Sequence, residues 1–279
     1  MMLLRLFLSA LAILVALGAP VLTLPAHAAG TETLTEARYA TPVERYGHFA
    51  LGRPHEYARL TAVTSSGRTL TLDLAEDEVF EDLAPRLVKL AAGGAPELLT
   101  IISRRSSGAR LALIRLAAEG LVISAQSPAI GTPQRWLNPV GVLDLDGDGR
   151  AEIAAVITPH IGGTLKVYQR RGSELVETAA LAGFSNHVYG SAELRLSVAD
   201  GRRLLVPDAA RRASSPAIAG DAADQPAAPI LSCVLVSKSL ASWRSCNWLA
   251  GSPCMRFTMR PRLAAGRAAI CLVQRCTLA

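Results

Sequence analysis

The most informative part of the sequence is Asn138-Pro-Val-Gly-Val-Leu-Asp-Leu-Asp-Gly-Asp-Gly-Arg-Ala-Glu-Ile-Ala-Ala-Val-Ile157. Acidic residues alternate in its middle, so their carboxylates can converge on one hard cation. Glycines between them permit the tight turn which that convergence requires. The residues that follow, 152–157, are short, apolar on both faces and partly β-branched, which predicts a buried strand.

The acidic loop has the oxygen donors of a calcium site. The predicted ligands are Asp144, Asp146, Asp148, the backbone carbonyl of Arg150 and Glu152. Together they offer an oxygen cage at about 2.3–2.6 Å from the ion. An EF-hand is the alternative, but its loop needs a glutamate at position 12, which here is Ala155, and a helix on each side. The sequence therefore predicts a calcium loop that leads into a strand.

The same pattern occurs earlier in the chain. Residues 84–97 align with residues 139–152 without a gap, at an offset of 55, and each copy continues with further strand signals, four per unit. Lys89, Ala91 and Gly93 replace the three aspartates in the earlier copy, so it keeps the turn and loses the ion. A third, partial copy begins near Phe184. An internal repeat of about 55 residues follows from these matches.

The remaining strand signals indicate an all-β protein. Residues 59–64 and 69–74 alternate around a turn at Gly67, which predicts a hairpin. Residues 164–169 alternate between polar and apolar side chains, which is typical of an outer strand. Four-stranded repeats without helical periodicity are typical of a β-propeller, and a β-sandwich is the alternative. Residues 42–212 hold roughly three and a half units, fewer than the 4–8 blades of closed propellers, so we expect a small or partial one.

The beginning of the chain predicts export. Residues 1–28 carry Arg5, then an apolar run, then Ala26-His27-Ala28, which is the pattern of a secretory signal peptide. A membrane anchor is the alternative, but Pro20 and Pro25 interrupt the apolar run. Residues 29–41 are small and polar and predict a flexible lead-in. We therefore expect a periplasmic or extracellular protein with no membrane span after signal removal.

The net charge of +6 is not spread over the chain. No acidic residue follows Asp224, whereas seven of the 29 lysines and arginines do. The first 224 residues hold 22 basic and 23 acidic side chains and are close to neutral. This distribution argues against a nucleic-acid partner for the body of the protein.

All five cysteines also lie in residues 213–279, a basic segment without any repeat match. Their spacing fits neither a zinc site nor a regular disulfide framework. We predict that this tail is irregular or disordered, and we interpret it as the product of a shifted reading frame. A native cysteine-rich tail held by disulfides is the alternative.

Histidines are the remaining candidates for chemistry. His48, His55, His160 and His187 each sit beside a predicted turn, without the spacing of a metal motif. We expect them to be hydrogen-bonded loop residues rather than a metal or acid–base cluster. Trp136 has the chemistry to stack on a ligand, but packing between repeats is the stronger expectation. No catalytic residue is predicted.

The Asp-x-Asp-Gly-Asp-Gly-x-x-Glu loop at residues 144–152, followed by a strand, resembles the FG-GAP/VCBS repeat of integrin-like β-propellers. Residues 131–149, with Pro159-His160 after the next strand, resemble bacterial secreted VCBS-repeat proteins. The resemblance covers about residues 39–212. It implies four-stranded blades and calcium as the ligand of the acidic loop.

Three functions remain open on the sequence. The first is a calcium-binding propeller that acts as a structural module or binds an unknown protein or glycan. The second is an enzyme, a hydrolase or lyase, on the same scaffold. The third is a non-functional product of a frameshifted gene. Ligand binding without turnover would favour the first function. Hydrolase or lyase activity that is lost on changing His48 or His187 would favour the second. A folded, complete chain would argue against the third.

Overall fold

The structure is a computed structural model that describes residues 31–200, 203–209, 231–237 and 269–276. The predicted signal peptide lies outside the described residues, and so does most of the tail. Every regular secondary-structure element in the described ranges is a strand, which confirms the all-β prediction. None of the described residues forms a helix that is long and apolar enough to cross a membrane.

The described residues contain sixteen strands. They are β1 Leu34–Pro42, β2 Tyr57–Thr64, β3 Thr69–Asp73, β4 Glu78–Phe80, β5 Arg86–Val88, β6 Glu97–Arg104, β7 Gly108–Ala117, β8 Gly120–Gln126, β9 Leu137–Leu143, β10 Glu152–Ile157, β11 Thr164–Arg171, β12 Glu174–Ala182, β13 Val198–Asp200, β14 Arg203–Pro207, β15 Leu231–Ser237 and β16 Ala269–Cys276.

Twelve of these strands form one connected sheet, and four form a second. The first has the order β1-β2-β4-β6-β7-β8-β12-β11-β10-β9, with β3 beside β2 and β5 beside β6. Its path is open, with β1 and β9 at the ends. All its pairings are antiparallel except β8 with β12, which meet in parallel at the single pair Gln126 and Glu174. The second sheet has the order β13-β14-β15-β16.

Two antiparallel four-stranded meanders lie within the large sheet. Strands β5 to β8 form the first, and β9 to β12 form the second. Strand β6 begins at Glu97 and β10 at Glu152, whereas β8 begins at Gly120 and β12 at Glu174. With β5 and β9, and β7 and β11, included, equivalent strands start 51 to 56 residues apart, close to the offset in the sequence.

Strand β6 is buried on both faces, as its apolar sequence predicts. Leu99 and Ile101 lie in a core shared with the second meander, which includes Ile153. Leu98 and Ile102 point to the opposite face, where they pack with residues of β1, β2 and β4. Successive side chains of a strand point to opposite faces, so one strand contributes to two cores.

Strand β10 of the second meander is likewise buried on both faces. All six of its residues are buried. Ala155 faces the first meander, whereas Ala154 and Val156 face Leu204 and Val206 of β14. The two meanders therefore stack face to face, with an outer layer packed on each side.

The start of the fold differs from its prediction. Residues 29–41 were expected to be a flexible lead-in, but strand β1 begins at Leu34 and pairs with β2 along its length. Leu34 and Tyr39 are buried against the core, and these contacts order the segment. The predicted hairpin is confirmed, because β2 and β3 pair antiparallel around a turn in which Gly67 has a φ of +83°.

The end of the fold also differs in part. The tail was expected to be irregular or disordered, but β15 and β16 lie within it and pair with each other. Strand β15 also pairs with β14, so the four-stranded sheet joins the end of the repeat region to two segments of the tail. The cysteines at 246 and 254 lie outside the described residues.

Equivalent glycines show why successive units pack closely. A Cβ added to Gly108 would collide with the Thr132 carbonyl oxygen, and one added to Gly163 with the Phe184 carbonyl oxygen. In the first meander, the chain that follows β8 folds back over the start of β7. In the second, the chain that follows β12 folds back over the start of β11 in the same way. Glycine is required at both positions because backbone occupies the space of a side chain.

We expect Gly163→Ala to lower the free energy of unfolding by about 1–3 kcal/mol, the usual cost of overpacking. Its Cβ would meet the Phe184 carbonyl oxygen and stand 2.7 Å from Cγ1 of Val156. Gly94→Ala is the control, since its Cβ would meet nothing closer than the Ala91 carbonyl oxygen at 3.2 Å. Urea unfolding followed by circular dichroism measures both variants. Equal stabilities would contradict the assigned steric role of Gly163.

Candidate functional site

The acidic loop connects β9 to β10 and gathers three of the predicted ligands. One carboxylate oxygen from each of Asp144, Asp146 and Glu152 lies within 4.8 Å of the others. Asp144 directly follows the first strand of the meander, and Glu152 begins the second. The hairpin connection therefore brings together side chains that lie eight residues apart.

Backbone amides of the turn shape this loop. The amides of Gly147 and Gly149 donate to Asp144 at 2.6 and 3.0 Å, and the Asp148 amide donates to Asp144 and Asp146. Gly147 and Gly149 have φ values of +82° and +85°, a conformation that glycine adopts without strain. The predicted tight turn is confirmed.

Glu152 is the most buried of the acids, with 3% of its surface exposed. Its Oε2 accepts a hydrogen bond of 2.9 Å from the Leu145 amide. Burial raises the pKa of Glu152, and the nearby negative charges of Asp146 and Asp148 raise it further. A cation at this position would favour the ionised carboxylate and so oppose both effects.

The other two predicted ligands are placed differently. Asp148 is exposed and lies outside the group of three; it accepts from the Arg150 amide at 2.9 Å and from Nε2 of Gln169 at 3.3 Å. Arg150 forms an isolated β-bridge with Ala91. The Ala151 amide donates to the Leu90 carbonyl at 2.8 Å, so the two equivalent loops are in contact.

The histidines belong to hydrogen-bond networks, as predicted. His55 contacts the Tyr57 hydroxyl at 3.3 Å, apart from the other three. Nδ1 of His48 lies 2.8 Å from Oε1 of Glu81. Nε2 of His160 lies 2.6 Å from Nδ1 of His187, whose Nε2 lies 2.7 Å from the Ser191 carbonyl oxygen.

Three of these histidines nevertheless share one aromatic cluster. Trp136 stacks on His160 with ring centroids 6.0 Å apart and contacts His187 at 4.8 Å. Tyr189 lies 5.3 Å from His160 and 5.7 Å from His48. The indole of Trp136 is 1% exposed and donates to the Glu81 carbonyl at 2.8 Å, which confirms that it packs inside the fold.

Glu81 is a residue that the sequence interpretation missed. Its carboxylate is fully buried and accepts hydrogen bonds from the Ser103 hydroxyl at 2.6 Å and the Ala50 amide at 3.3 Å, besides contacting His48. It lies in an acidic run, residues 76–82, which looks like a solvated surface segment. Because Ser103 donates to Glu81, its hydroxyl is not held as a nucleophile against a histidine.

An open pocket of about 540 Å³ lies between the β4–β5 connection, β9 and the segment before β13. Asp82 and Arg86 line it and form an ion pair, and Glu193 and Arg195 line it from the other side. Two acids and two arginines give the lining no net charge.

Comparison with protein-family models, curated proteins and solved structures finds no match to this chain. The likeness to the FG-GAP/VCBS repeat rests on the loop at residues 144–152 and the strand pattern around it.

Proposed function

We propose that this chain is a secreted or periplasmic calcium-binding β-propeller repeat protein that acts as a structural module or binds a protein or glycan. The observation that carries the proposal is the convergence of Asp144, Asp146 and Glu152 at the turn between the first two strands of a four-stranded meander. The acidic loop of the FG-GAP/VCBS repeat, which the sequence resembles, has this position.

The stacking of the meanders supports the propeller part of the proposal. Propeller blades are four-stranded antiparallel sheets that pack face to face around an axis. Here β5–β8 and β9–β12 are four-stranded meanders that share a core, with residues of β1, β2 and β4 packed on one side and residues of β14 on the other. The loops at residues 46–51 and 184–191 also meet, through the Gly190 amide and the Ala50 carbonyl at 2.8 Å.

The chemistry of the loop fits calcium. Calcium takes six to eight oxygen ligands at about 2.3–2.6 Å, in flexible geometry. Three carboxylates are already gathered, and the nearby Asp148 carboxylate, the Arg150 carbonyl and water would complete the shell. Carboxylate oxygens carry enough lone pairs to bind the ion while keeping their bonds to the loop amides.

The arrangement of polar side chains supports a binding module rather than an enzyme. His48 and Ser103 both bond to Glu81, and His187 bonds to His160 and to the Ser191 carbonyl. Within the described residues these groups hold loops together. The acidic loop is the most specific element of the proposal. Comparing the stability of the calcium-loaded protein with that of the calcium-free protein therefore tests it.

We expect the contribution of Glu152 to the pH dependence of stability to change sign when calcium is added. The pKa of Glu152 is raised above its ordinary value of 4.5, so the calcium-free folded state keeps a proton that the unfolded chain has released. Without calcium, the stability contributed by Glu152 therefore falls as the pH rises through that raised pKa. With calcium, which needs the ionised carboxylate, it rises over the same range.

Urea midpoints at pH 5, 6 and 7, in chelator and in millimolar calcium, measure this dependence. Glu152→Gln is the matched control, because it keeps the side-chain shape and removes the titrating proton. Parallel pH profiles in chelator and calcium for the unsubstituted protein would contradict the assignment of Glu152 as a ligand.

A further inference from the structure

Gln169 reaches from strand β11 to the acidic loop. Its Nε2 donates to Oδ2 of Asp148 at 3.3 Å and to Oε1 of Glu152 at 3.4 Å. The register of the strands explains this position. The β10–β11 ladder ends at the pair Ile153 and Tyr168, so Glu152 and Gln169 are the next residues on the two strands. A half-buried carboxamide therefore stands beside the buried acid of the loop.

This carboxamide connects Asp148 to the three gathered acids. Asp148 is exposed and lies outside the group formed by Asp144, Asp146 and Glu152. A carboxamide nitrogen carries two hydrogens, so the one from Gln169 has a donor for each of the two carboxylates. One oxygen of Asp148 and one of Glu152 are therefore held against the same nitrogen.

The second oxygen of each carboxylate is held by the backbone. Oδ1 of Asp148 accepts from the Arg150 amide at 2.9 Å, and Oε2 of Glu152 accepts from the Leu145 amide at 2.9 Å. Donors on both oxygens fix the orientation of both carboxylate groups. Each carboxylate oxygen has two lone pairs, so these hydrogen bonds leave capacity for a cation.

The lack of charge on Gln169 matters as much as its hydrogen bonds. An arginine or lysine at this position would also donate to the two carboxylates, but its positive charge would repel a cation a few ångströms away. A glutamine orients the same carboxylates and adds no charge.

The first meander offers an internal comparison. Its β6–β7 ladder has the pair Leu98 and Ile114 at the corresponding end, so the next residue on β7 is Arg115. Arg115 therefore has the position that Gln169 has in the second meander. The first meander is also the unit whose loop has lost the three aspartates. The unit that keeps its acids has a neutral donor at this position, and the unit without them has an arginine.

We propose that Gln169 is a positioning residue of the acidic loop, a role that rests on the calcium binding proposed above. Its carboxamide keeps the Asp148 carboxylate next to that of Glu152, so that Asp148 joins the three gathered acids around the ion. Because Gln169 is neutral, it leaves the negative charge of these carboxylates to the ion.

Calorimetric titration of the full-length protein with calcium chloride at pH 7 tests the proposal. Gln169→Met keeps the length of the side chain and removes the donor. It should weaken calcium binding about 10–100-fold, the usual effect of losing a group that orients a metal ligand. Gln126→Met is the matched control, because Gln126 lies on β8 and accepts from Arg110. It should leave the Kd for calcium unchanged.

A double-mutant cycle separates positioning from a general structural role. In an Asp148→Asn background, Gln169→Met should weaken calcium binding by a smaller factor than in the unsubstituted protein, because part of its effect acts through the Asp148 carboxylate. Equal factors in the two backgrounds would show that Gln169 does not act through Asp148, and would overturn the proposal.

Gln169→Arg introduces the residue of the first meander and should weaken calcium binding more than Gln169→Met does. It also serves as the deciding variant if Gln169→Met does not fold: weaker binding supports the proposal, and an unchanged Kd overturns it. Calcium binding by the unsubstituted protein with an unchanged Kd in Gln169→Met rejects the role of Gln169 alone. An unsubstituted protein that does not bind calcium rejects the calcium site, and this role with it.

Discussion

Trp136→Ala should lower the free energy of unfolding by about 3–5 kcal/mol, the range for removing a large aromatic side chain from a core. The indole is 1% exposed in the core that the two meanders share. It also stacks on His160 and donates to the Glu81 carbonyl. Truncation would therefore leave a cavity and an unpaired buried acceptor at the same place. Urea unfolding monitored by circular dichroism measures the loss.

Two variants separate these contributions. Trp136→Phe keeps much of the ring packing and removes the indole donor, so it should cost about 1–3 kcal/mol. Ile161→Ala changes a side chain beside His160 that is 61% exposed, and it should alter stability by no more than about 0.5 kcal/mol. A Trp136→Ala protein as stable as Ile161→Ala would show that Trp136 does not pack between the meanders in solution.

Calcium should stabilise the folded protein by about 2.7 kcal/mol when its concentration is a hundredfold above Kd, since it binds the folded loop alone. For a chain of this size, such a gain raises Tm by about 5–10 °C. The gain arises because the ion neutralises carboxylates that otherwise repel one another around Glu152. Burial raises the pKa of Glu152, and the neighbouring aspartates raise it further. Thermal unfolding in chelator and in millimolar calcium measures the gain.

Asp146→Ala should abolish this gain while leaving the calcium-free protein about as stable as before, because it removes a ligand and a repulsive charge together. Glu119→Ala is the matched control: it deletes an exposed carboxylate from the β7–β8 turn and should keep the full response to calcium. An equal rise in Tm for Asp146→Ala and the unsubstituted protein would reject the calcium site.

Local sequence patterns were enough to predict several individual elements of this protein. The apolar run at residues 152–157 is a buried strand, residues 59–73 contain a hairpin, and the glycines at 147 and 149 make the turn of the acidic loop. Each of these follows from side chains and backbone preferences within about ten residues. A strand buried on both faces needs a continuous apolar run, and a left-handed turn needs glycine.

Only the tertiary structure decided which of these elements meet. Strand β1 is polar enough to look flexible and is ordered by pairing with β2. Glu81 looks like a surface acid and is fully buried because His48, Ser103 and a backbone amide surround it. His160 and His187 lie 27 residues apart and share a hydrogen bond. Such contacts depend on how stacked sheets bring distant loops together, and local periodicity carries no information about that.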